Sequence, residues 1–156
     1  MPKSLGKDST CSIARSLEVL GDRWTLLILR EALIEGSTRF QEFREALGVA
    51  PNLLAQRLTF LIEEGLLTRR TYQTAGTRAR DEYVLTEAGR SLNLVIAALS
   101  DWGRTCRPRS DGTSPSFAVE DSGTLVRLAF VTEDGDQVDA EQLVARRASD
   151  RELVGR

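Results

Sequence analysis

The 156-residue sequence contains no histidine. That excludes Ser-His-Asp and Cys-His catalysis and removes the commonest side-chain ligand of transition metals. Its two cysteines, Cys11 and Cys106, are too few for a tetrahedral zinc site within one chain. No apolar run approaches the ~18 residues of a membrane span. The first ten residues, MPKSLGKDST, carry no hydrophobic region of signal-peptide kind. A cytoplasmic protein without membrane association is therefore expected, with its thiols reduced. Glycine-rich phosphate loops and paired carboxylates in an apolar setting are missing too. Nothing points to an enzyme, a cofactor or a resident metal. Aromatic residues make up only 6%, which gives no particular support to an apolar ligand pocket.

What the chain does have is an apolar fraction of 41%, enough for a folded core. Its net charge of −2 argues at first against a nucleic-acid partner. The distribution of charge matters more than the sum. Residues 65–80 include Arg69, Arg70, Arg78 and Arg80 and no acid, whereas residues 104–156 hold 8 basic and 10 acidic residues. A basic strip on a mildly acidic protein is compatible with DNA binding that weakens steeply with salt.

The stretch 37–64 reads as two amphipathic helices joined by a tight turn. Phe40, Phe43 and Leu47 form the stripe of the first, with Ser37 or Thr38 as its N-cap. Gly48 suits a left-handed C-cap, Val49 and Ala50 make the turn, and Pro51 opens the second helix. Leu54, Leu58 and Leu61 then form one apolar stripe, with Asn52, Gln56 and Thr59 opposite and Arg57 on the flank. Asn and Gln can pair bidentately with adenine, and Thr can touch a thymine methyl. Such a face on a second helix is how a helix-turn-helix enters the major groove. Taken alone, the stretch fits an ordinary helical hairpin equally well.

Around it, residues 1–10 read as a polar arm, and Cys11 or Ser12 opens a helix striped by Ile13, Leu17 and Leu20. Gly21 ends that helix. Asp22 caps a second, 24–34, that is apolar nearly all round and so buried, with Trp24 in the core. After Glu64 the period changes: LLTRRTYQ and DEYVL are strands around a loop containing Gly76, with Tyr83 and Leu85 on one face. Thr86 opens a final helix to about residue 103, with Leu92, Val95, Ile96, Leu99 and Trp102 on one side. The order is that of a mainly α (α+β) winged helix-turn-helix with flanking helices. A core of this size leaves the stripes Ile13, Leu17, Leu20 and Leu92, Ile96, Leu99, Trp102 in surplus. They are the expected interface of a twofold homodimer. Two recognition helices roughly 34 Å apart would read a pseudo-palindrome.

These motifs are specific: Cys11 before the first helix, LGDRWTLLILREAL, RFQEFREAL, RLTFLIEEGLLTRRTY and EYVLTEAGRSL. Over residues 11–103 the chain resembles HxlR-type transcriptional regulators, winged-helix proteins related to the MarR group. The resemblance implies a homodimer that binds double-stranded DNA sequence-specifically, with the wing along the minor groove or backbone. The implied contacts are Arg39, Asn52, Gln56, Arg57, Thr59, Arg69, Arg70, Arg78 and Arg80. The chain departs from the family at the wing tip, QTAGTRAR, which lacks the usual proline and is about two residues longer. Some family members sense oxidants or electrophiles through a cysteine placed like Cys11, and the helix dipole there can depress a thiol pKa. A redox role for Cys11, with Cys106 as its partner thiol, and a simple packing role both stand at this point.

Residues 104–123 read as a linker. Residues 124–156 read as a small extension: one strand over 124–132, a turn at Asp134-Gly135, a short return, and a helix from Asp139 to about Ala148. Some HxlR-type proteins are similar here but carry cysteines beside the glycines; Ser122-Gly123 and Asp134-Gly135 have none. Arg146-Arg147 fits a solvated helix face. The sequence thus points to a regulator, by default a repressor, switched by thiol chemistry or by a small-molecule effector. The alternative is a winged helix that docks proteins without reading DNA.

Overall fold

The computed structural model describes residues 9–73, 76, 79–113 and 116–144. Helix α1 spans Ser12–Leu20, with Cys11 as its N-cap residue. Helix α2, Arg23–Arg30, starts at Asp22, whose side chain accepts hydrogen bonds from the N–H groups of Trp24 and Thr25. The single helix expected over 24–34 instead loosens into a π-helical turn, Glu31–Glu35, closed by left-handed Gly36 at φ 70°.

Helix α3 (Phe40–Leu47) and helix α4 (Pro51–Glu63) form the expected pair. Gly48 ends α3 at φ 59°, a left-handed conformation that glycine takes without a Cβ clash. The N-cap of α3 corrects the sequence reading: it is Arg39, not Ser37 or Thr38. The reason lies in the strands. Tyr83 N–H donates to the Thr38 carbonyl at 2.7 Å, and Arg39 bridges Glu82. The backbone through residue 39 is thereby held extended beside the wing, and the helix begins only at Phe40. Glu42 reaches back to accept from the N–H groups of Thr38 (2.8 Å) and Arg39 (2.9 Å), a role that Ser37 and Thr38 do not take.

Strands β1 (Leu67–Tyr72) and β2 (Arg80–Leu85) pair antiparallel, from Leu67 opposite Leu85 to Tyr72 opposite Arg80. The expected final helix is broken. Helix α5 is Glu87–Ser91, and α6 restarts at Asn93 and runs to Cys106, so Cys106 lies in the helix rather than after it. Thr86 caps the start of α5, donating its hydroxyl to the Gly65 carbonyl at 2.7 Å and accepting from Gly89 N–H. The core joins Ile28 and Leu29 of α2, Phe43 of α3, Leu54, Leu58 and Leu61 of α4, Leu67 of β1 and Ile96 of α6. Val49, read only as a turn residue, is buried among them, and Leu20, Trp24, Tyr83, Leu85 and Leu92 pack around it.

The chain divides into two units inside α6, at Ser100 and Asp101. In the second unit, β3 (Phe117–Ala118) pairs with β4 (Leu125–Val126), and β5 (Phe130–Val131) pairs with β6 (Gln137–Val138). The strand expected over 124–132 is therefore split between two hairpins, and the segment read as linker supplies β3. Glycine at φ 65° (Gly123) and φ 91° (Gly135) permits the hairpin turns. Among the described residues of the expected C-terminal helix there is a 3-10 turn, Ala140–Gln142, with no capping bond from Asp139. Residues 145–148 of that expected helix, including Arg146-Arg147, lie outside the described residues. None of the described residues from 101 onward is buried. Two such short hairpins cannot enclose a core of their own.

Gly89 marks the tightest joint. A Cβ there would lie 2.1 Å from the Leu66 carbonyl oxygen and 3.0 Å from Leu85 Cδ2, whereas one on Gly103 of α6 would meet nothing within 4 Å. In urea unfolding, Gly89→Ala should cost about 1–3 kcal/mol. Gly103→Ala should leave stability unchanged or raise it, because alanine is the better helix former.

Candidate nucleic-acid interface

Helix α4 has two unlike faces. Leu54, Leu58 and Leu61 are fully buried, while Asn52, Gln56 and Thr59 are exposed. Burial of the leucines fixes the rotation of the helix, so the polar trio has to face outward. Its first turn opens freely at Pro51.

Arg57 behaves differently from the other arginines. Its Nη2 lies 3.0 Å from Asp22 Oδ2, both side chains are about one-third exposed, and its Nε is buried without a partner. Asp22 thus uses one oxygen to cap α2 and the other to hold α4. The geometry makes Arg57 a strut between α2 and α4.

The wing holds its arginines in a ladder with acids. Arg70 Nη2 meets Glu82 at 3.0 Å, and Arg69 Nη1 lies 3.7 Å from Asp81, which also accepts from the Thr71 hydroxyl at 2.9 Å. The strip that is free of acids in sequence is therefore not free of them in space, because the returning strand lays Asp81 and Glu82 against it. Arg69 and Arg70 remain well exposed, and ion pairs of that kind contribute at most about 1 kcal/mol, so exchange for a phosphate costs little. Arg80 has no ion-pair partner among the described residues. Arg39 stacks over the Tyr72 ring, 5.1 Å from its centroid. Arg78 lies outside the described residues.

Hydrogen bonds from the Thr38 and Arg39 backbone, aided by the Arg39 charge, hold the Glu42 carboxyl below its ordinary pKa. Burial pushes the Tyr83 phenol up. Of the residues expected at a dimer interface, Ile96 belongs to the chain's own core, and Leu20 and Leu92 pack against that core. Ile13 (70% exposed), Leu17, Leu99 and Trp102 (57%) stand outside it, as does Leu94, which the sequence reading omitted. Cys11 and Cys106 are both exposed, and neither is in a disulfide. Among the described residues no cluster of three potential metal ligands occurs. No helix among them is long and apolar enough to cross a membrane.

The model of the HxlR-like helix-turn-helix family matches residues 19–111. The chain belongs to that family. An uncharacterized HTH-type transcriptional regulator of Mycobacterium tuberculosis, Rv3095, is 46% identical over 101 residues, covering 65% of this chain and 62% of that protein. The match therefore spans less than two thirds of the mycobacterial relative. YdeP of Bacillus subtilis, another HTH-type regulator, is 32% identical over 71% of this chain and 85% of its own. Among solved structures, PA1607 superposes with a TM-score of 0.77 at 38% identity, covering 90% of this chain and 97% of that one. The redox regulator HypR in its reduced form gives 0.56 at 28% identity, over 62% and 94% of the two chains. Residues 19–111 thus carry an HxlR-like winged helix-turn-helix.

Glu42 offers a test of the α3 start. Its pKa is lower in the folded than in the unfolded chain, so its stabilisation is complete above the ordinary value of 4.5 and lost as pH falls through the folded value. Glu42→Gln should be less stable than wild type at neutral pH, by under about 1 kcal/mol for so exposed a group. The two melting curves should converge in acid.

Proposed function

We propose that this chain is a homodimeric repressor that reads a pseudo-palindromic operator with the outer face of α4. The observation that carries the reading is the exposure of Asn52, Gln56 and Thr59 directly opposite three fully buried leucines. Arg39, Arg69, Arg70 and Arg80 supply backbone contacts that position the helix, and Arg78, outside the described residues, is a further candidate. Repression follows from size, since a small winged helix on a promoter obstructs polymerase without needing an activating surface. Ile13, Leu17, Leu99 and Trp102 form the dimer contact. Leaving such large apolar side chains in water is unfavourable by about 25 cal/mol per Å².

An oxidant switch at Cys11 is supported by its exposure at a helix start and by the relatives solved as reduced and oxidised HypR. The second reading, a module that docks proteins, has its own observation. The paired Arg69–Asp81 and Arg70–Glu82 present mixed charge, as protein interfaces do, rather than a bare cationic stripe.

Fluorescence anisotropy against DNA flanking the protein's own gene, at several salt concentrations, separates the two. The regulator gives a steep salt slope and protected half-sites. Affinity no better than for random duplex favours the docking module. Gln56→Ala should cost about 1–3 kcal/mol at particular base positions, whereas Arg70→Ala should weaken all sequences alike. Uniform effects from both would refute the assigned face. In sedimentation, Leu17→Glu should shift the dimer toward monomer. Diamide should change the operator affinity of wild type and leave Cys11→Ser unaffected.

A further inference from the structure

Arg57 does not stand clear of the protein as Arg69 and Arg70 do. Its side chain is 31% exposed, against 60% and 68% for those two. Leu54 and Leu61, one turn before it and one turn after, are fully buried. The side chain therefore leaves α4 on the covered side of the flank, with Nε buried and Nη2 on Asp22. Nε has no partner among the described residues. Burying a donor unpaired is unfavourable, so the guanidinium lies where Asp22 holds it rather than where its own donors are best satisfied.

Asp22 is itself held from the other side. Its Oδ1 accepts from the N–H groups of Trp24 at 2.9 Å and Thr25 at 3.2 Å, and Thr25 is fully buried. The carboxylate is thus seated on the first turn of α2, and the bond to its second oxygen ties α4 to a fixed point. Burial of Leu54, Leu58 and Leu61 chooses the face that α4 turns outward, but apolar contact has no direction of its own. Hydrogen bonds to base edges work only over roughly 2.7–3.2 Å, so a slide of about 1 Å along the helix axis breaks them. Long arginines on the wing still reach phosphate after such a slide, because contacts to the DNA backbone carry no sequence information.

We propose that Arg57 is a positioning residue: through Asp22 it fixes α4 against α2, and so sets how well Asn52, Gln56 and Thr59 discriminate bases, without itself touching DNA. The discrimination half rests on the reading of α4 as the DNA-facing helix.

Asp22→Asn separates a strut from a phosphate contact, because asparagine still caps a helix but offers Arg57 no charge. Binding is measured by anisotropy on the full chain, with a duplex that wild type selects from a randomised pool and a scrambled duplex of equal length. Asp22→Asn and Arg57→Gln should each lower the ratio of selected to scrambled affinity about tenfold, the size of a lost base contact. The double variant should be no worse than the poorer single one, because both changes remove the same link. The slope of log affinity against log salt should stay that of wild type. A slope reduced by about one in Arg57→Gln, or tighter binding of the selected duplex by Asp22→Asn, is the behaviour of a phosphate contact and overturns the proposal. Thermal melts check folding, and an unchanged ratio in the folded variants overturns it as well. In hydrogen exchange without DNA, the Trp24 and Thr25 amides of Arg57→Gln should exchange faster than in wild type, relative to those of Leu58 and Leu61. Equal rates overturn the link to α2. If wild type selects no duplex, the DNA reading fails and the discrimination half with it, while the exchange rates decide the link on their own.

Discussion

The constraint on which the domain depends is that α4 has one face it must hide. Leu54, Leu58 and Leu61 are fully buried, and the helices and strand around them are placed to cover those side chains. Removing any one would cost about 2–5 kcal/mol, a large share of the stability of a small domain. The same burial sets the outward direction of Asn52, Gln56 and Thr59. Core formation and the presentation of a readable surface are thus one event rather than two.

The Asp22–Arg57 pair supplies a directional link, joining the start of α2 to the flank of α4 at 3.0 Å. Its value is geometric more than energetic, since a pair about one-third exposed contributes little net stability. A similar logic runs through the wing. Tyr83 N–H to the Thr38 carbonyl, together with Glu42 folded back onto residues 38 and 39, ties the entry of α3 to β2. The two halves of the candidate interface, recognition helix and wing, are therefore braced through α3.

Much of this was legible because it depends on near neighbours in the chain. Helical periods located α1 and α4, Gly48 and Pro51 bounded the turn, and alternation at Tyr83 and Leu85 gave the returning strand. Misreadings fell where distant segments intervene. The cap of α3 moved from Ser37 or Thr38 to Arg39 because the strand at 83 claims the backbone of Thr38. The last helix breaks at Leu92, shortly after Gly89 packs against the Leu66 carbonyl. The apolar run 124–132 looked like one strand, yet it is shared by two hairpins with different partners.

By itself, the sequence determined the family, the helix-turn-helix and the polar trio on its outer face, since periodicity and local capping chemistry encode them directly. Tertiary structure alone decided which apolar residues are core. Leu20, Leu92 and Ile96 turned inward, while Ile13, Leu17, Leu99 and Trp102 did not, and no helical period separates the two groups. It also decided the state of each arginine. Arg57 met Asp22, Arg69 and Arg70 met acids from the opposite strand, and Arg80 was left without a partner among the described residues. Charge in a sequence is a list, whereas its effect falls off with distance, and only the folded chain sets the distances.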